Sequence, residues 1–158
     1  MSENNPIRVF VTHTFAESDD YLRLFEFLEC VDRFYYLNVS KPENIPSEGG
    51  LNAIKDELIT QIKASEAFVV APDAYAAKPD LVNFMMDAAA VNKIGMIAIR
   101  PFGGVSELPK EVIERCAEQV EWNAREIVDA IRRQGRGEET ARWEVIDFPG
   151  FDSDGETN

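Results

Sequence analysis

The amino-acid sequence predicts an α/β fold, in which a parallel sheet is covered by helices on both faces. Short apolar runs alternate along the chain with longer segments of helical periodicity, as expected of strand-helix-strand units. The runs at 67–71 and 96–99 are continuously apolar, which is typical of central strands that helices cover on both sides. Right-handed crossovers between such strands give a doubly wound sheet.

The first part of the chain contains two predicted strands and two predicted helices. The run at 7–12 is largely apolar and precedes a polar turn, so it is the first strand. Ser18 can cap the helix that follows, which carries two acids in its first turn. The aromatic and β-branched run at 34–39 predicts the second strand. A loop with prolines and glycines then leads to an amphipathic helix beginning at Leu51.

The second part of the chain supplies the remaining elements after the strand at 67–71. They are, in order, a helix around 81–89, the strand at 96–99, a helix that Pro109 opens, an edge strand near 119–122 and a last helix over 123–134. Five strands in this alternation predict a flavodoxin-like sheet with the order 2-1-3-4-5.

The length of 158 residues is that of one domain, predicted to span residues 1–134. Residues 135–158 form an acidic extension, in which seven acids against two arginines supply about −5 of the net charge of −13. The apolar segment at 142–148 predicts an added edge strand or a packed arm, followed by a disordered end. The alternative is a partner-binding segment anchored by Trp143 and Phe148.

Charge and composition argue against several classes of protein. A net charge of −13 disfavours nucleic acid as a partner, because a phosphate backbone needs a basic surface. No apolar run approaches the ~20 residues of a membrane-spanning helix, and the first residues lack the pattern of a signal peptide. We therefore expect a cytoplasmic protein without membrane contact. Cys30 and Cys116 are predicted to be two buried thiols, and with a single histidine they argue against a metal site.

Several short motifs follow the predicted strands in order. They are Val11-Thr12-His13-Thr14 after the first strand, Tyr36-Leu37-Asn38-Val39-Ser40-Lys41-Pro42 at the second, Tyr75 after the third, Arg100-Pro101-Phe102-Gly103 after the fourth and Val120-Glu121-Trp122 at the fifth. Together these segments resemble the TIR-like (Toll/interleukin-receptor-like) family of small prokaryotic signalling domains, which includes Thoeris-type antiphage proteins. The resemblance spans roughly residues 7–134.

In the TIR-like family, a glutamate on the helix around 81–89 usually cleaves NAD. Alignment on the motif that begins at Arg100 places the matching position at Met85 and the family's tryptophan at Leu81. Residues on the same face of the helix as Met85 are apolar, and Asp87 points about 200° away. The resemblance therefore implies no confident catalytic residue, with Asp73 and Asp87 as fallback acids.

The resemblance implies a TIR-like signalling or antiphage-defence domain that is non-catalytic and binds a nucleotide or a protein partner, including a second copy of itself. The alternative is an NAD-cleaving enzyme, such as an NAD glycohydrolase or ADP-ribose cyclase, which takes an acid from elsewhere or from a partner subunit. A phosphate receiver or a flavodoxin is disfavoured, because neither paired acids nor a phosphate loop follows the first strand.

Ligands of open α/β sheets bind at the carboxyl ends of the strands. The residues predicted to bind a ligand there are His13, Thr14, Phe15, Asn38, Ser40, Asp73, Tyr75 and Arg100. Asn38 and Asp73 could bind ribose hydroxyls, while Arg100 could bind a phosphate. The ring of Phe15 or Tyr75 could stack on a base. NAD or an NAD-derived nucleotide is the ligand that the resemblance implies.

Each polar candidate also has a purely structural interpretation. His13 is the only histidine, and a lone histidine at the end of a strand more often hydrogen-bonds the backbone than takes part in catalysis. Asn38, Ser40 and Asp73 could close turns with their own backbone. Arg100 could pair with a nearby acid. The sequence leaves both interpretations open.

Overall fold

Five parallel strands form one sheet in the order β2-β1-β3-β4-β5, as the sequence predicts. The structure is a computed structural model, and it describes residues 2–103 and 107–138. The strands are β1 (Ile7–Val11), β2 (Tyr36–Asn38), β3 (Ala67–Val70), β4 (Gly95–Ile99) and β5 (Glu118–Val120). The helices are α1 (Asp19–Glu29), α2 (Gly50–Lys63), α3 (Pro72–Ala77), α4 (Pro79–Val91), α5 (Lys110–Arg115) and α6 (Ala124–Arg136), and a 3-10 turn spans Pro42–Asn44.

The core lies on both faces of the central strands. Every residue of β3 is fully buried between β1 and β4, which explains its continuous apolar sequence. Helices α1 and α6 pack against each other, as do α2 and α4. Ser18 accepts a hydrogen bond from the Tyr21 N–H and caps α1 as predicted.

The end of α6 differs from its prediction. The last helix was predicted to end at Gln134, before the segment Gly135-Arg136-Gly137, but α6 continues to Arg136, and Gly137 takes the left-handed capping conformation with φ +64°. Gly135 lies inside the helix, and a β-carbon at this position would clash with the side chain of Ile7. This glycine therefore serves the close packing of α6 on β1 and not the helix end.

Two further predictions need correction. Asp73 and Tyr75 follow β3 as predicted, but they lie in a short helix, α3, that was not predicted and that Pro72 opens. Cys116 is a buried thiol as predicted, and burial raises its pKa to about 12. Cys30, however, is exposed. It follows α1 at the C-cap, where it is off the helix face that carries Leu24 and Leu28.

Among residues 2–103 and 107–138, no helix is long and apolar enough to cross a membrane. The same ranges contain no group of three or more histidine, cysteine or acidic residues that could hold a metal ion. The arm predicted at 142–148 and the disordered end predicted after it lie outside the described residues.

Candidate functional site

The predicted ligand-binding residues lie at the carboxyl ends of β1, β2, β3 and β4. The strand order reverses at β1, which lies between β2 and β3, and a cleft at such a point is the usual ligand site of this fold. Residues that follow β1, β2 and β3 are therefore neighbours, whereas Arg100 follows β4 on the far side of β3. The structure thus divides the predicted set into a central group and a separate arginine.

Asn38 and Ser40 belong to a closed hydrogen-bonded network with Tyr21 of α1. The Asn38 side chain donates from Nδ2 to the Tyr21 hydroxyl at 2.9 Å, and its Oδ1 accepts the Ser40 N–H at 2.9 Å. The Ser40 and Tyr21 hydroxyls are 3.0 Å apart, and both side chains are buried. Asn38 therefore closes the turn after β2, as its structural interpretation predicts.

His13 is completely buried and has a partner at each ring nitrogen. Its Nδ1 accepts the Phe15 N–H at 3.2 Å, so the proton of the neutral ring is on Nε2, which lies 3.3 Å from Gln61 Oε1. Burial lowers the pKa of His13, and the hydrogen bond to Gln61 opposes this only in part. The geometry describes a neutral histidine that holds the β1 loop in place.

Gln61 of α2 is a central residue that the sequence analysis missed. Its side chain accepts the Lys41 N–H at 2.9 Å and donates to the Lys41 carbonyl at 3.0 Å, in addition to its contact with His13. It thereby links the loop after β1 to the loop after β2. Its position between Leu58 and Ile62 on the buried face of α2 was the available signal, since a polar residue on an apolar stripe needs internal partners.

Asp73 is bound to the first turn of α1. Its carboxylate accepts the Ser18 hydroxyl at 2.8 Å and the Asp20 N–H at 3.0 Å, while Asp20 in turn accepts the Asp73 N–H at 3.0 Å. Burial and the nearby negative charge of Asp73 raise the pKa of Asp20, although Arg23 pairs with it. Each of the two aspartates thus binds a backbone N–H in the first turn of the other's helix.

Phe15 borders an open cavity of about 390 Å³, whose other lining residues are Ala16, Glu17, Pro42 and Glu43. Its backbone has φ +69°, a conformation that residues other than glycine rarely adopt. The Lys78 ammonium lies 5.4 Å from the centre of the Phe15 ring. Phe15 and Thr14 are both half-buried, so the cavity combines an accessible ring with the carboxylates of Glu17 and Glu43, and Lys78 lies near the same ring.

Met85 lies in the core and not in the cleft, with its side chain fully buried. Asp87 is exposed and pairs with Arg115 of α5. The Tyr75 hydroxyl is 3.5 Å from the side-chain nitrogen of Asn83. Asp87 is thus engaged at the surface, and Asp73 at the start of α1.

Arg100 contacts a different part of the molecule from the residues that follow β1, β2 and β3. Its guanidinium is 3.2 Å from the Glu121 carboxylate, as the structural interpretation predicts, and it borders a cavity of about 360 Å³ with Leu108, Ile113 and Gln119 among its other lining residues. This cavity shares no lining residue with the one beside Phe15. Phosphate binding by Arg100 stays a prediction that would concern a separate site.

Comparison with known proteins provides no family for the chain. No family model matches the sequence, and no curated protein is significantly similar to it.

Proposed function

We propose that the chain is a TIR-like module of signalling or antiphage defence, which binds a nucleotide in the cavity beside Phe15 and does not cleave NAD. The single observation that carries the proposal is the burial of Met85, which is 0% exposed where the resemblance puts the glutamate. Asp87 and Asp73 are engaged by other partners. Without a carboxylate at position 85, the chain lacks the usual general acid or base of the family but retains the capacity to bind.

The chemistry of the cavity supports a nucleotide as the ligand. The ring of Phe15 can stack on a base, a contact worth about 1–3 kcal/mol. Lys78 can pair with a phosphate, and the carboxylates of Glu17 and Glu43 can accept ribose hydroxyls. The volume of about 390 Å³ is near the lower end of the range of about 300–1,000 Å³ for ligand pockets. It fits one nucleotide unit of NAD better than the whole dinucleotide.

The test combines a binding measurement with an assay for cleavage. The purified protein is titrated by calorimetry with NAD, ADP-ribose and AMP, and the NAD mixture is then analysed by chromatography for nicotinamide. We expect binding of at least one of these nucleotides and no release of nicotinamide. Release would instead favour the NAD-cleaving enzyme with an acid from elsewhere or from a partner subunit. Absence of binding to all three would contradict the nucleotide proposal.

Replacing Phe15 by glycine should separate binding from stability. Glycine adopts a positive φ freely, whereas another residue in that conformation is strained by about 1–2 kcal/mol. This gain offsets the loss of ring contacts, so we expect the Phe15→Gly variant to unfold within about 1 kcal/mol of the wild type. Nucleotide affinity should fall about tenfold because the stacking surface is lost. Urea unfolding and calorimetry measure the two effects.

The matched control is Phe102→Ala, which removes an exposed ring that does not line the cavity. This variant should bind nucleotide as the wild type does. Equal affinity of the Phe15→Gly variant and the wild type would show that the ring of Phe15 is not part of the binding site.

A further inference from the structure

The edge strand β2 presents two residues whose backbone groups face away from the sheet. The Ile7 N–H donates to the Tyr35 carbonyl at 3.0 Å, and the Val39 N–H donates to the Val9 carbonyl at 2.9 Å. In a parallel ladder, both backbone groups of every second residue face the same neighbour. Tyr35, Leu37 and Val39 therefore face β1. The N–H and C=O groups of the residues between them, at 36 and 38, face outward.

A groove of about 470 Å³ runs along this edge. Its lining residues are Glu3, Pro6, Glu29, Phe34, Tyr35, Tyr36, Leu37 and Asn38. Three of these residues are aromatic, and Leu37 is 52% exposed. An edge that pairs with no other described strand, beside a groove with polar and apolar lining, is an arrangement that can bind an extended segment by adding a strand.

Charge decides which extended segment suits this groove. The two charged residues that line it, Glu3 and Glu29, are both acids. Among the cations near this edge, Arg8 pairs with Glu66 and Arg132, close to the Phe34 ring, pairs with Asp129. Arg33 precedes Phe34 in sequence but is not among the residues that line the groove. The groove therefore presents negative charge to an incoming segment.

Two other occupants would bring charge of the wrong sign. A second copy of the chain has a net charge of −13, and residues 139–158 of this chain carry six acids and one arginine. Both would place like charges beside Glu3 and Glu29, which is unfavourable at a binding surface. A basic segment of another protein would bring the opposite charge.

We propose that the β2 edge binds an extended segment of another protein, in which basic and apolar residues alternate, as a sixth strand of the sheet. The outward backbone groups of Tyr36 and Asn38 supply the hydrogen bonds. Leu37 contacts the apolar side chains on one face of the sheet. Glu29, which accepts the Tyr36 hydroxyl on the other face, pairs with the basic side chains, as does Glu3. This surface is on the β2 edge and is independent of the nucleotide proposal.

The test uses a fluorescent heptapeptide in which lysine and valine alternate, with blocked ends, and follows its anisotropy on addition of the full-length protein. Two further peptides carry N-methyl groups on alternate amides, one set on each edge of the extended chain. Since a paired strand turns only one edge toward β2, one methylated peptide should bind like the parent, and the other at least about tenfold more weakly. Amide exchange at Tyr36 and Asn38 should slow when the parent peptide binds.

Leu37→Lys and Leu51→Lys form a matched pair of variants, because both replace an exposed leucine by lysine and change the net charge equally. Only Leu37→Lys should weaken peptide binding, by about tenfold. If both variants weakened peptide binding equally, the effect would come from the change in net charge and not from contact with Leu37, and the proposal would be overturned. Equal binding of the two methylated peptides would overturn it as well. Slow amide exchange at Tyr36 and Asn38 without peptide would mean that a second copy or this chain already occupies the edge.

Discussion

The polar side chains at the carboxyl edge of the sheet mostly bind one another. Asn38 and Ser40 share a network with Tyr21, and His13 is held between Gln61 and the loop backbone. Leaving a buried polar group without a partner costs about 1–3 kcal/mol. A ligand would therefore gain little by displacing these side chains. Recognition is expected to depend on the half-buried residues in front of them, above all Phe15.

Met85→Glu, the substitution that would restore the glutamate of the family, should destabilise the fold. The side chain of Met85 is fully buried, so the new carboxylate would have neither water nor a cation, and we expect a loss of about 3–5 kcal/mol at pH 7. Burial would raise the pKa of the new glutamate, so part of this loss should be regained as the pH falls and the group is protonated. Urea unfolding at pH 7 and pH 5 measures both effects.

Met85→Leu is the control for this substitution, since it conserves volume and should cost less than about 1.5 kcal/mol. A stable Met85→Glu variant would mean that position 85 reaches solvent. In that case, the Met85→Glu variant can be assayed for NAD cleavage that the wild type lacks.

The helices around the cleft are joined at their N-termini. Asp20 and Asp73 occupy the first turns of α1 and α3, and each accepts the backbone N–H of the other. A carboxylate in the first turn of a helix is favourable, but two such groups side by side repel each other. Burial and, second to it, this repulsion raise the pKa of Asp20, so the junction of α1 and α3 depends on pH.

Asp73→Asn should bring the pKa of Asp20 closer to its usual range of about 3.8, because it removes the neighbouring charge but not the burial. In the wild type, a raised pKa in the folded state gives Asp20 a stabilising contribution that is complete below pH 3.8 and is lost as the pH rises. This loss should be smaller in the variant. The carboxyl carbon shift of Asp20, followed by NMR during a pH titration, measures the change directly.

Asp80→Asn provides the comparison, because it neutralises an acid in the first turn of α4 that has no part in the Asp20 junction. It should leave the titration of Asp20 unchanged. The interpretation would fail if Asp20 titrated identically in the Asp73→Asn variant and the wild type.

The sheet could be predicted from the sequence because its central strands are continuously apolar and its helices have regular apolar stripes. The short elements are harder to predict. The three residues of β2 and the six of α3 are too few to show a periodic pattern that marks where each element begins and ends. For the site, the sequence predicts which residues follow each strand but not their partners. The sequence around His13 is the same whether its side chain is buried or binds a ligand. Only contacts between distant segments, such as those of Gln61 with Lys41, distinguish the two.

Glu66 connects elements from both ends of the described chain. Its carboxylate accepts the Arg8 N–H at 3.0 Å, pairs with the Arg8 guanidinium at 3.1 Å and also binds Arg136. Arg136 in turn donates to the Pro6 carbonyl at 3.2 Å. This cluster lies at the start of β1 and β3 and the end of α6, opposite the cleft, so it stabilises the whole sheet without touching the candidate site.

Glu66→Gln should weaken the fold at neutral pH and leave nucleotide binding unchanged. Burial alone would raise the pKa of Glu66, but hydrogen bonds from Arg136 and Arg8 outweigh it and hold the pKa below the usual 4.5. A lowered pKa in the folded state gives a stabilising contribution that is present above pH 4.5 and disappears as the pH falls through the folded value. We therefore expect Glu66→Gln to cost about 1–3 kcal/mol at pH 7, and the difference from the wild type to shrink toward pH 3.

Urea unfolding between pH 3 and pH 7 measures the free energy of unfolding of the variant and of the wild type. Glu114→Gln is the control, since Glu114 forms an exposed pair with Lys110 at 3.7 Å. A difference that persisted undiminished at pH 3 would mean that Glu66 acts by packing and not by charge.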